Sequence, residues 1–296
     1  MCWKPANIWI AFCIFYPNIA LINNIDDDHL DYFSGMDQIV KSFENFIGNV
    51  AQDGMLFGCI ADERVIKLLR FCGKPYATYG ITRDADYSAR SIQYDENGCA
   101  TFTAMYRGKK LFTTKLTLPG EYNVSNAMGA TAVAHHIGIA PDIIARALAE
   151  YESAERRFKL YGQKDGVDVY HDYAHHPTAI TAAMGAAQMH RYNKLWVVFE
   201  GDSYERLESF FPRIIEALDG ADHVVVTKIF PGRGGTHGKY DGPDIAAALN
   251  ERGIDSCYIE EYDAIAPYLH ANWQSGDMVL VIGSGIINQH VHKILE

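Results

Sequence analysis

The sequence has no cysteine spacing of the kind that binds zinc, and it has no cluster of basic residues. Its six cysteines are scattered without a C-x-x-C pair or a matching histidine spacing, which favours reduced thiols over a zinc site or a disulfide framework. The formal net charge of −11, without a basic cluster, argues against a nucleic-acid partner. We therefore expect a cytoplasmic protein that binds no nucleic acid.

A long, uninterrupted apolar run is also missing. Residues 6–22 are strongly apolar, but Pro17-Asn18 interrupts them and no small-residue cleavage site follows. Because residues 19–22 lead directly into an acidic loop, we predict a buried helix and strand here, and no membrane partner. A domain that begins with core-forming residues leads us to expect that sequence upstream has been removed.

No segment matches the phosphate-binding pattern G-x-x-x-x-G-K-[ST]. The nearest approach has Arg233 five residues before Gly238, where glycine is required, and Tyr240 where a hydroxyl would bind Mg²⁺. We interpret this segment as a flexible surface loop. Gly283-Ser284-Gly285, after a predicted strand, is a weak phosphate-loop signal and is more often a tight turn.

The 296 residues are enough for about two domains. Up to Glu152, helices and buried strands are followed by three alternating segments separated by Asn97-Gly98 and Gly108, which are hairpin signals. After Glu152, strands and helices alternate as in βαβ units with a parallel sheet. We predict two α/β domains, residues 1–153 and 154–296. The predicted strands are 19–22, 55–60, 89–94, 100–106, 110–118, 167–170, 195–199, 223–229, 256–259 and 278–282. The predicted helices are 36–49, 63–71, 125–136, 141–151, 178–190, 205–218, 242–251 and 262–271.

Residues 169–177, Val-Tyr-His-Asp-Tyr-Ala-His-His-Pro, form the most informative stretch. They end a β-branched strand and place a carboxylate, a phenol and imidazoles in a turn before a helix of small residues. Open α/β sheets bind ligands in loops that follow the carboxyl ends of strands, and imidazole titrates near neutral pH and binds metals. A solvated turn would explain a lone His-His-Pro, but four functional groups together favour a site.

Three other segments carry weaker signals. Residues 23–31 combine aspartates with a histidine, and oxygen ligands suit Mg²⁺, but the spacing alone favours a solvated acidic loop. Asn123 and Asn126 stand where a helix begins, and they can cap it or bind the edge of a purine. Arg156-Arg157 is either a pair of surface charges or a phosphate ligand.

Taken together, these segments resemble the Mur ligases. Each segment alone is unspecific, but the combination occurs in family order and spacing from about residue 12 to the end, and it is highly specific. The resemblance rests on Tyr16–Ala20 leading into Asn24–Asp31, on Pro119–Ala127, on Arg156–Phe158 and on Asp172–Thr178.

The resemblance implies a partial P-loop-type central domain followed by a Rossmann-like C-terminal domain, beside a front domain that binds UDP. It implies an ATP- and Mg²⁺-dependent ligase of peptidoglycan synthesis, in which an amine attacks an acyl phosphate. The motifs are most similar to the branch that joins L-alanine to UDP-N-acetylmuramate. Two alternatives stay open: the branch that joins a recovered tripeptide to UDP-N-acetylmuramate, and a non-catalytic remnant that binds a nucleotide or a partner.

The resemblance also implies roles for individual residues. His29 would bind Mg²⁺ in the central domain, and Asn123 would meet adenine, with Asn126 in the same nucleotide site. Arg157 would reach the nucleotide and Asp172 its ribose. The residues expected where substrate and amino acid meet are His175 and Arg206 as catalytic residues and Tyr173 and His176 as substrate ligands.

The sequence departs from the family pattern in several places. The front domain and the P-loop, which would hold the β- and γ-phosphates, are missing, and the upstream acidic metal ligand would fall near Asn7. His171 replaces the first aspartate of an Asp-Asp-Tyr motif. Residues 201–206 replace a histidine-containing turn, and residues 283–287 replace Gly-Ala-Gly-Asp-Ile. We therefore expect that this chain by itself does not turn over ATP.

Overall fold

The computed structural model describes residues 14–30, 32–232, 235 and 237–296. The chain divides into two compact units: Met1–Asp95 with Cys99–Tyr151, and Glu96–Gly98 with Glu152–Glu296. The assignment of domains to residues 1–153 and 154–296 stays a prediction. Residues 6–13 of the apolar segment lie outside the described residues. Within the described ranges, no helix has the length and apolar character needed to cross a membrane.

The first unit contains a six-stranded sheet whose strands follow chain order. Its strands are β1 (Ile19–Ile22), β2 (Met55–Cys59), β3 (Tyr76–Gly80), β4 (Tyr87–Tyr94), β5 (Cys99–Tyr106) and β6 (Lys109–Pro119). Neighbouring strands from β1 to β4 run parallel, whereas β4, β5 and β6 run antiparallel. The antiparallel patch that the hairpin signals predict within an α/β unit is confirmed, and the remaining strands of its sheet are parallel.

Helices pack on this sheet through two separate cores. They are α1 (Met36–Asn49), α2 (Glu63–Phe71), α3 (Glu121–His136) and α4 (Pro141–Glu150). Leu56 and Phe57 are neighbours on β2, and both are fully buried, because successive side chains of a strand point to opposite faces. Leu56 packs with Ile39 of α1 and Leu69 of α2, whereas Phe57 packs with Met128 of α3. The sheet thus has a hydrophobic core on each face.

The start of α3 differs from the prediction. Gly120 precedes the helix with φ 96°, a conformation that glycine adopts without strain, so the helix begins directly after it and not at Ser125. Asn123 and Asn126 therefore lie inside the first two turns and do not cap the helix end. Strand β3 was not predicted, because it is short and shows neither clear alternation nor a continuous apolar run.

The second unit contains a six-stranded sheet in the order β11-β10-β9-β12-β8-β7. Its strands are β7 (Lys159–Lys164), β8 (Val167–Asp172), β9 (Leu195–Phe199), β10 (His223–Val226), β11 (Asp255–Tyr258) and β12 (Met278–Ile282). Its helices are α5 (Pro177–Gln188), α6 (Tyr204–Ala217), α7 (Gly242–Glu251), α8 (Tyr262–Asn272) and α9 (Ile287–Leu295). All pairs are parallel except β7 with β8. The predicted parallel βαβ architecture is confirmed.

Three elements of this unit differ from the prediction. Strand β10 ends at Val226 and not at residue 229, because Phe199 of β9 and Tyr258 of β11 end opposite it and leave no partner strand. Strand β7 was missed because its sequence, Lys-Leu-Tyr-Gly-Gln-Lys, is largely polar, as suits an edge strand. Helix α9 was also not predicted.

We predict that Gly58→Ala destabilises the first unit. A Cβ at position 58 would lie 2.4 Å from Leu69 Cδ1 and 2.7 Å from Val65 Cγ1, and such overpacking costs about 1–3 kcal/mol. Urea unfolding monitored by circular dichroism, with amide hydrogen exchange of β2, measures the loss. The control is Gly48→Ala in α1, where a Cβ meets nothing within 4 Å. Equal stability of the two variants would contradict the packing argument.

Candidate functional site

The loops that follow β8, β9 and β12 meet at the carboxyl edge of the second sheet. The N–H of Gly283 donates to the carbonyl of Asp172 (3.1 Å), and the N–H of Glu200 donates to the carbonyl of Ile282 (2.9 Å). Because β12 lies between β8 and β9, the strand order reverses here, and such reversals open a crevice in which α/β proteins bind ligands. The His-Asp-Tyr-Ala-His-His-Pro turn lies at this edge.

Asp172 organises this turn. Its Oδ1 accepts the N–H of Ala174 (2.7 Å), and its Oδ2 accepts the N–H of Phe158 (2.8 Å). Burial raises the pKa of the Asp172 carboxyl, while the two amides and the charge of Arg157 oppose that rise. The carboxylate therefore ties residues 156–158 to the end of β8.

Residues 156–158, which Asp172 ties to the end of β8, have a strained backbone. Arg156 has φ 61° and Phe158 has φ 44°, both in the left-handed region, which costs about 1–3 kcal/mol for each residue without a compensating environment. The carbonyl of Arg156 accepts the N–H of Tyr173 (2.8 Å), and the buried Phe158 ring packs against Tyr170 (4.9 Å). These contacts fix the strained conformation.

Two guanidinium groups and an imidazole surround the Tyr173 ring. Arg156 Cζ lies 4.7 Å and Arg157 Cζ lies 5.6 Å from the ring centroid, distances typical of cation–π contacts. The His175 ring meets the Tyr173 ring edge-on at 5.2 Å, and its Nδ1 lies 3.0 Å from the Tyr173 carbonyl. Two positively charged arginines and the imidazole of His175 are thus gathered around the Tyr173 ring.

His171 is fully buried at the end of β8. Burial lowers its pKa to about 4; the nearby Arg156 charge acts in the same direction, and the Gly283 carbonyl acts against it. The ring is therefore neutral at pH 7. Its Nε2 lies 3.3 Å from the Gly283 oxygen, and because a carbonyl only accepts, Nε2 carries the proton. Among the described residues, no group is bonded to Nδ1.

His176 and Arg206 are held by helices α5 and α6. His176 is the N-cap of α5, and its Nδ1 accepts the N–H of Thr178 (3.3 Å). Its ring packs edge-on against Phe210 (4.9 Å), one turn after Arg206 on α6. The Arg206 guanidinium donates to Asp202 Oδ2 (2.5 Å), and both side chains are largely buried. Arg206 is therefore oriented by an internal carboxylate.

The buried side chain of Glu200 leaves no room for a Cβ at Gly283 and Gly285, the two glycines after β12. It is fully buried, and its carboxylate accepts the N–H groups of Gly285 (2.9 Å) and Ile287 (3.0 Å) and the hydroxyl of Tyr262 (2.6 Å). A Cβ on Gly285 would lie 2.6 Å from Glu200 Oε2, and a Cβ on Gly283 would lie 2.9 Å from Glu200 Cβ. The turn at the start of α9 therefore binds an internal carboxylate where a phosphate loop would bind its ligand.

The two predicted adenine ligands lie on α3 in the first unit. Asn123 donates from Nδ2 to the Pro119 carbonyl (2.7 Å) and is half-buried, whereas Asn126 is exposed. The Asn123 side chain thus fixes the chain entering the helix and keeps its Oδ1 as an acceptor.

The acidic loop after β1 contains the predicted metal ligand His29. Its Nε2 lies 3.5 Å from Asp28 Oδ2, and its backbone has φ 57°. Asp26 Oδ1 accepts the N–H of Asp27 (2.9 Å), and Asp28 Oδ1 accepts the N–H of His29 (2.7 Å). The carboxylate oxygens fit Mg²⁺ by donor type, whereas the imidazole is a less usual ligand for it. Asp31 and the position near Asn7 lie outside the described residues.

The structure brings part of the predicted set together. Asp172, Tyr173 and His175 lie in the turn at the end of β8, Arg157 from the segment before β7 lies over Tyr173, and their predicted roles stay predictions. Sequence reasoning missed Glu200. The available signal was a carboxylate directly after the apolar run Leu195–Phe199, because a charge buried there needs partners. The remaining predicted residues are His176 and Arg206 in the second unit and His29, Asn123 and Asn126 in the first.

We predict that Asp172→Ala lowers the free energy of unfolding by about 2–4 kcal/mol, because two buried N–H groups lose a charged acceptor. Urea unfolding monitored by tryptophan fluorescence measures the change. The matched control is Asp168→Ala on the same strand, whose carboxylate accepts a surface hydrogen bond from Gln163. A loss no larger than that of the control would show that the carboxylate does not hold the turn.

We predict that His171 makes the stability of the second unit pH-dependent. Its folded pKa of about 4 is below the ordinary 6.5, so its contribution is fully present above pH 6.5 and is lost as the pH falls towards 4. Between pH 7.5 and pH 4, the wild type should lose about 3 kcal/mol more unfolding free energy than His171→Asn. Urea titrations at both pH values provide the test, and parallel losses would exclude this role.

Comparison with known families agrees with the motif assignment. Two family models match the chain: "Mur ligase middle domain" over residues 9–134, and "Mur ligase, glutamate ligase domain" over residues 156–285. Together they cover most of both units.

Two similar curated relatives are named UDP-N-acetylmuramate–L-alanine ligase. The protein from Caldanaerobacter subterraneus subsp. tengcongensis is 37% identical over 286 residues, which cover 97% of this chain and 62% of the relative. The protein from Clostridium beijerinckii is 32% identical over 275 residues, which cover 93% of this chain and 60% of the relative. The chain thus spans about 60% of the length of the curated relatives it matches.

Solved structures agree at the level of the fold. A UDP-N-acetylmuramate-alanine ligase from Thermotoga maritima has a TM-score of 0.76 at 22% identity, covering 95% of this chain and 60% of that one. A MurF ligase from Thermotoga maritima in complex with ADP has a TM-score of 0.75 at 19% identity, covering 99% of this chain and 64% of that one. The motifs, the fold and both family models agree, and the chain belongs to the Mur ligase family.

Proposed function

We propose that this chain supplies the middle and C-terminal parts of an ATP- and Mg²⁺-dependent ligase that joins L-alanine to UDP-N-acetylmuramate in the cytoplasm. The observation that carries the proposal is the 37% identity over 286 residues to the UDP-N-acetylmuramate–L-alanine ligase of Caldanaerobacter. Because the chain spans 62% of that relative, the proposal assigns it part of the catalytic machinery.

Arg157, in the segment before β7, is suited to bind an anionic group beside the turn after β8. Bound ATP would supply the phosphoryl group that activates the muramate carboxylate. Arg157 is exposed and lies over the Tyr173 ring, so its guanidinium can be reached by a phosphate group. A planar guanidinium can bind two phosphate oxygens at once. Asp172 is proposed to lie near the ribose, and its two backbone hydrogen bonds position the segment that carries Arg157.

Amide formation also requires that the incoming ammonium loses a proton. His175 supplies an imidazole beside Tyr173, a group suited to general-base chemistry near neutral pH. Arg206, fixed by Asp202, provides a permanent positive charge that can stabilise the developing oxyanion. His176 keeps α5 in place next to Phe210 and is proposed to contact substrate.

The first unit would contribute nucleotide and metal ligands. Asn123 uses its amide N–H₂ on Pro119, so its Oδ1 is the group that can accept from the exocyclic amine of adenine, with exposed Asn126 one turn further along α3. His29, with the aspartates of its loop, would hold Mg²⁺, which neutralises charge on the phosphates.

A chimaera tests the proposal. It joins this chain to the part of the Caldanaerobacter relative that the chain does not cover. We predict phosphate release that requires ATP, Mg²⁺, UDP-N-acetylmuramate and L-alanine together, and no release from the chain by itself. Arg206→Gln should lower the rate about 100-fold if Arg206 stabilises the oxyanion, whereas Arg213→Gln on the same helix should leave it unchanged.

The two alternative functions, a tripeptide-joining ligase and a non-catalytic binding module, predict different results in the same assay. Release with a tripeptide acceptor and none with L-alanine would assign the chain to the tripeptide-joining branch. No release with either acceptor, although calorimetry detects binding of ATP with Mg²⁺, would identify a non-catalytic binding module. Either result would overturn the proposal, and release from the chain alone would overturn the expectation that it is inactive by itself.

A further inference from the structure

The amino edge of the second sheet, where β9, β10 and β11 begin, carries a row of polar and aromatic side chains. His223 at the start of β10 is in register with Trp196 of β9 and with Asp255 of β11. Residues in register on neighbouring strands point to the same face, so these three side chains lie next to one another. Lys194 is two residues before Trp196, and side chains two apart along a strand share a face, so it extends this row.

The partners of His223 determine which of its ring nitrogens carries the proton. Its Nδ1 lies 2.7 Å from Asp255 Oδ2, and its Nε2 lies 3.3 Å from Lys194 Nζ. A carboxylate only accepts and an ammonium only donates, so Nδ1 carries the proton and Nε2 accepts from Lys194. The contacts form one chain, from the Lys194 amine through the imidazole to the Asp255 carboxylate.

Stacking on a buried indole holds the imidazole in this position. The ring centroids of His223 and Trp196 are 4.0 Å apart, with 19° between the ring planes. Trp196 is buried, and its Nε1 donates to Asp277 Oδ2 (3.0 Å). The imidazole is therefore pre-organised, whereas Lys194 is exposed and can be reached by a dissolved reagent.

A lysine amine beside the lone pair of a held imidazole has the arrangement of a nucleophile with its base. The form that attacks is the unprotonated amine. Once the nitrogen of Lys194 has bonded to a carbonyl carbon, it is positively charged and must lose a proton, and His223 Nε2 lies where it can accept that proton. The groups lie at the sheet edge opposite the turn after β8, so the proposed ligase chemistry does not use them.

We propose that Lys194 is a site of Nε-acylation by acyl phosphates, with His223 as general base and Asp255 as a positioning residue. The amine lone pair forms the new C–N bond, and the bond between the carbonyl carbon and the phosphate oxygen breaks with its electron pair on the oxygen. The amine proton moves to His223 Nε2. The imidazolium then gives this proton to the departing phosphate, which leaves as hydrogen phosphate, so one imidazole serves both steps.

A second lysine of the same unit provides a matched comparison. Lys293 Nζ lies 2.6 Å from Asp263 Oδ1, and His290 Nδ1 lies 3.2 Å from the same oxygen. The trio has the same residue types, but its lysine contacts the carboxylate and not the imidazole. A carboxylate is a weaker base than an imidazole, and the hydrogen bond from Lys293 lowers the pKa of Asp263 further. We therefore expect Lys293 to react like an ordinary surface lysine.

Treatment of the intact chain with acetyl phosphate at pH 7.5, followed over time by peptide mass spectrometry, tests this site. We predict that Lys194 is acetylated about tenfold faster than Lys293 and than the exposed Lys67. His223→Gln should lower the Lys194 rate about tenfold and leave the other two rates unchanged. The effect is smaller than the roughly 100-fold or more of general bases in enzymes, because water also reaches Lys194 and accepts protons.

Two variants of the exposed Asp255 separate positioning from a general structural effect. Asp255→Asn keeps an acceptor for the His223 Nδ1 proton and should retain the Lys194 rate within about threefold, whereas Asp255→Ala should lower it nearly as far as His223→Gln. Thermal melting by circular dichroism checks that each variant is folded, and the Asp255 pair decides if His223→Gln is not. A Lys194 rate no higher than those of Lys67 and Lys293, an unchanged rate in His223→Gln, or equal rates in the two Asp255 variants would overturn the proposal. Acetylation requires neither ATP nor a ligase substrate, so its outcome is independent of the proposed function.

Discussion

The buried carboxylate of Asp172 is the contact on which the arrangement of the second unit's site depends. A carboxylate removed from water is costly unless charged or N–H partners replace the solvent, and here the N–H groups of Phe158 and Ala174 do so. The same bonds satisfy two backbone donors that would otherwise be buried without acceptors. Chain direction after β8 and the strained turn before β7 are therefore fixed by one group, and the side chains of Arg156 and Arg157 follow from it.

A second buried carboxylate, Glu200, fills the turn after β12 at the same edge of the sheet. It accepts the N–H groups at the start of α9, where the macrodipole and the unpaired N–H groups would otherwise attract an external anion. The N–H groups of the glycine turn after β12 are therefore already bonded to the Glu200 carboxylate. Beside the turn after β8, by contrast, Arg156 and Arg157 from the segment before β7 place two guanidinium groups on Tyr173, so the two loops at this edge have opposite chemistry.

The sequence predicted most of the fold because hydrophobic periodicity is local. Helices α1 and α2 were predicted to the residue, and so were strands β1, β9 and β12. The end of β10 at Val226 was missed because it depends on where the neighbouring strands end, which local sequence does not encode. The motifs also indicated Arg157, Asp172, Tyr173 and His175 as candidate site residues. The partners of Glu200 could not be predicted, because Tyr262, Gly285 and Ile287 are distant from it in sequence and bond to it only in the folded unit.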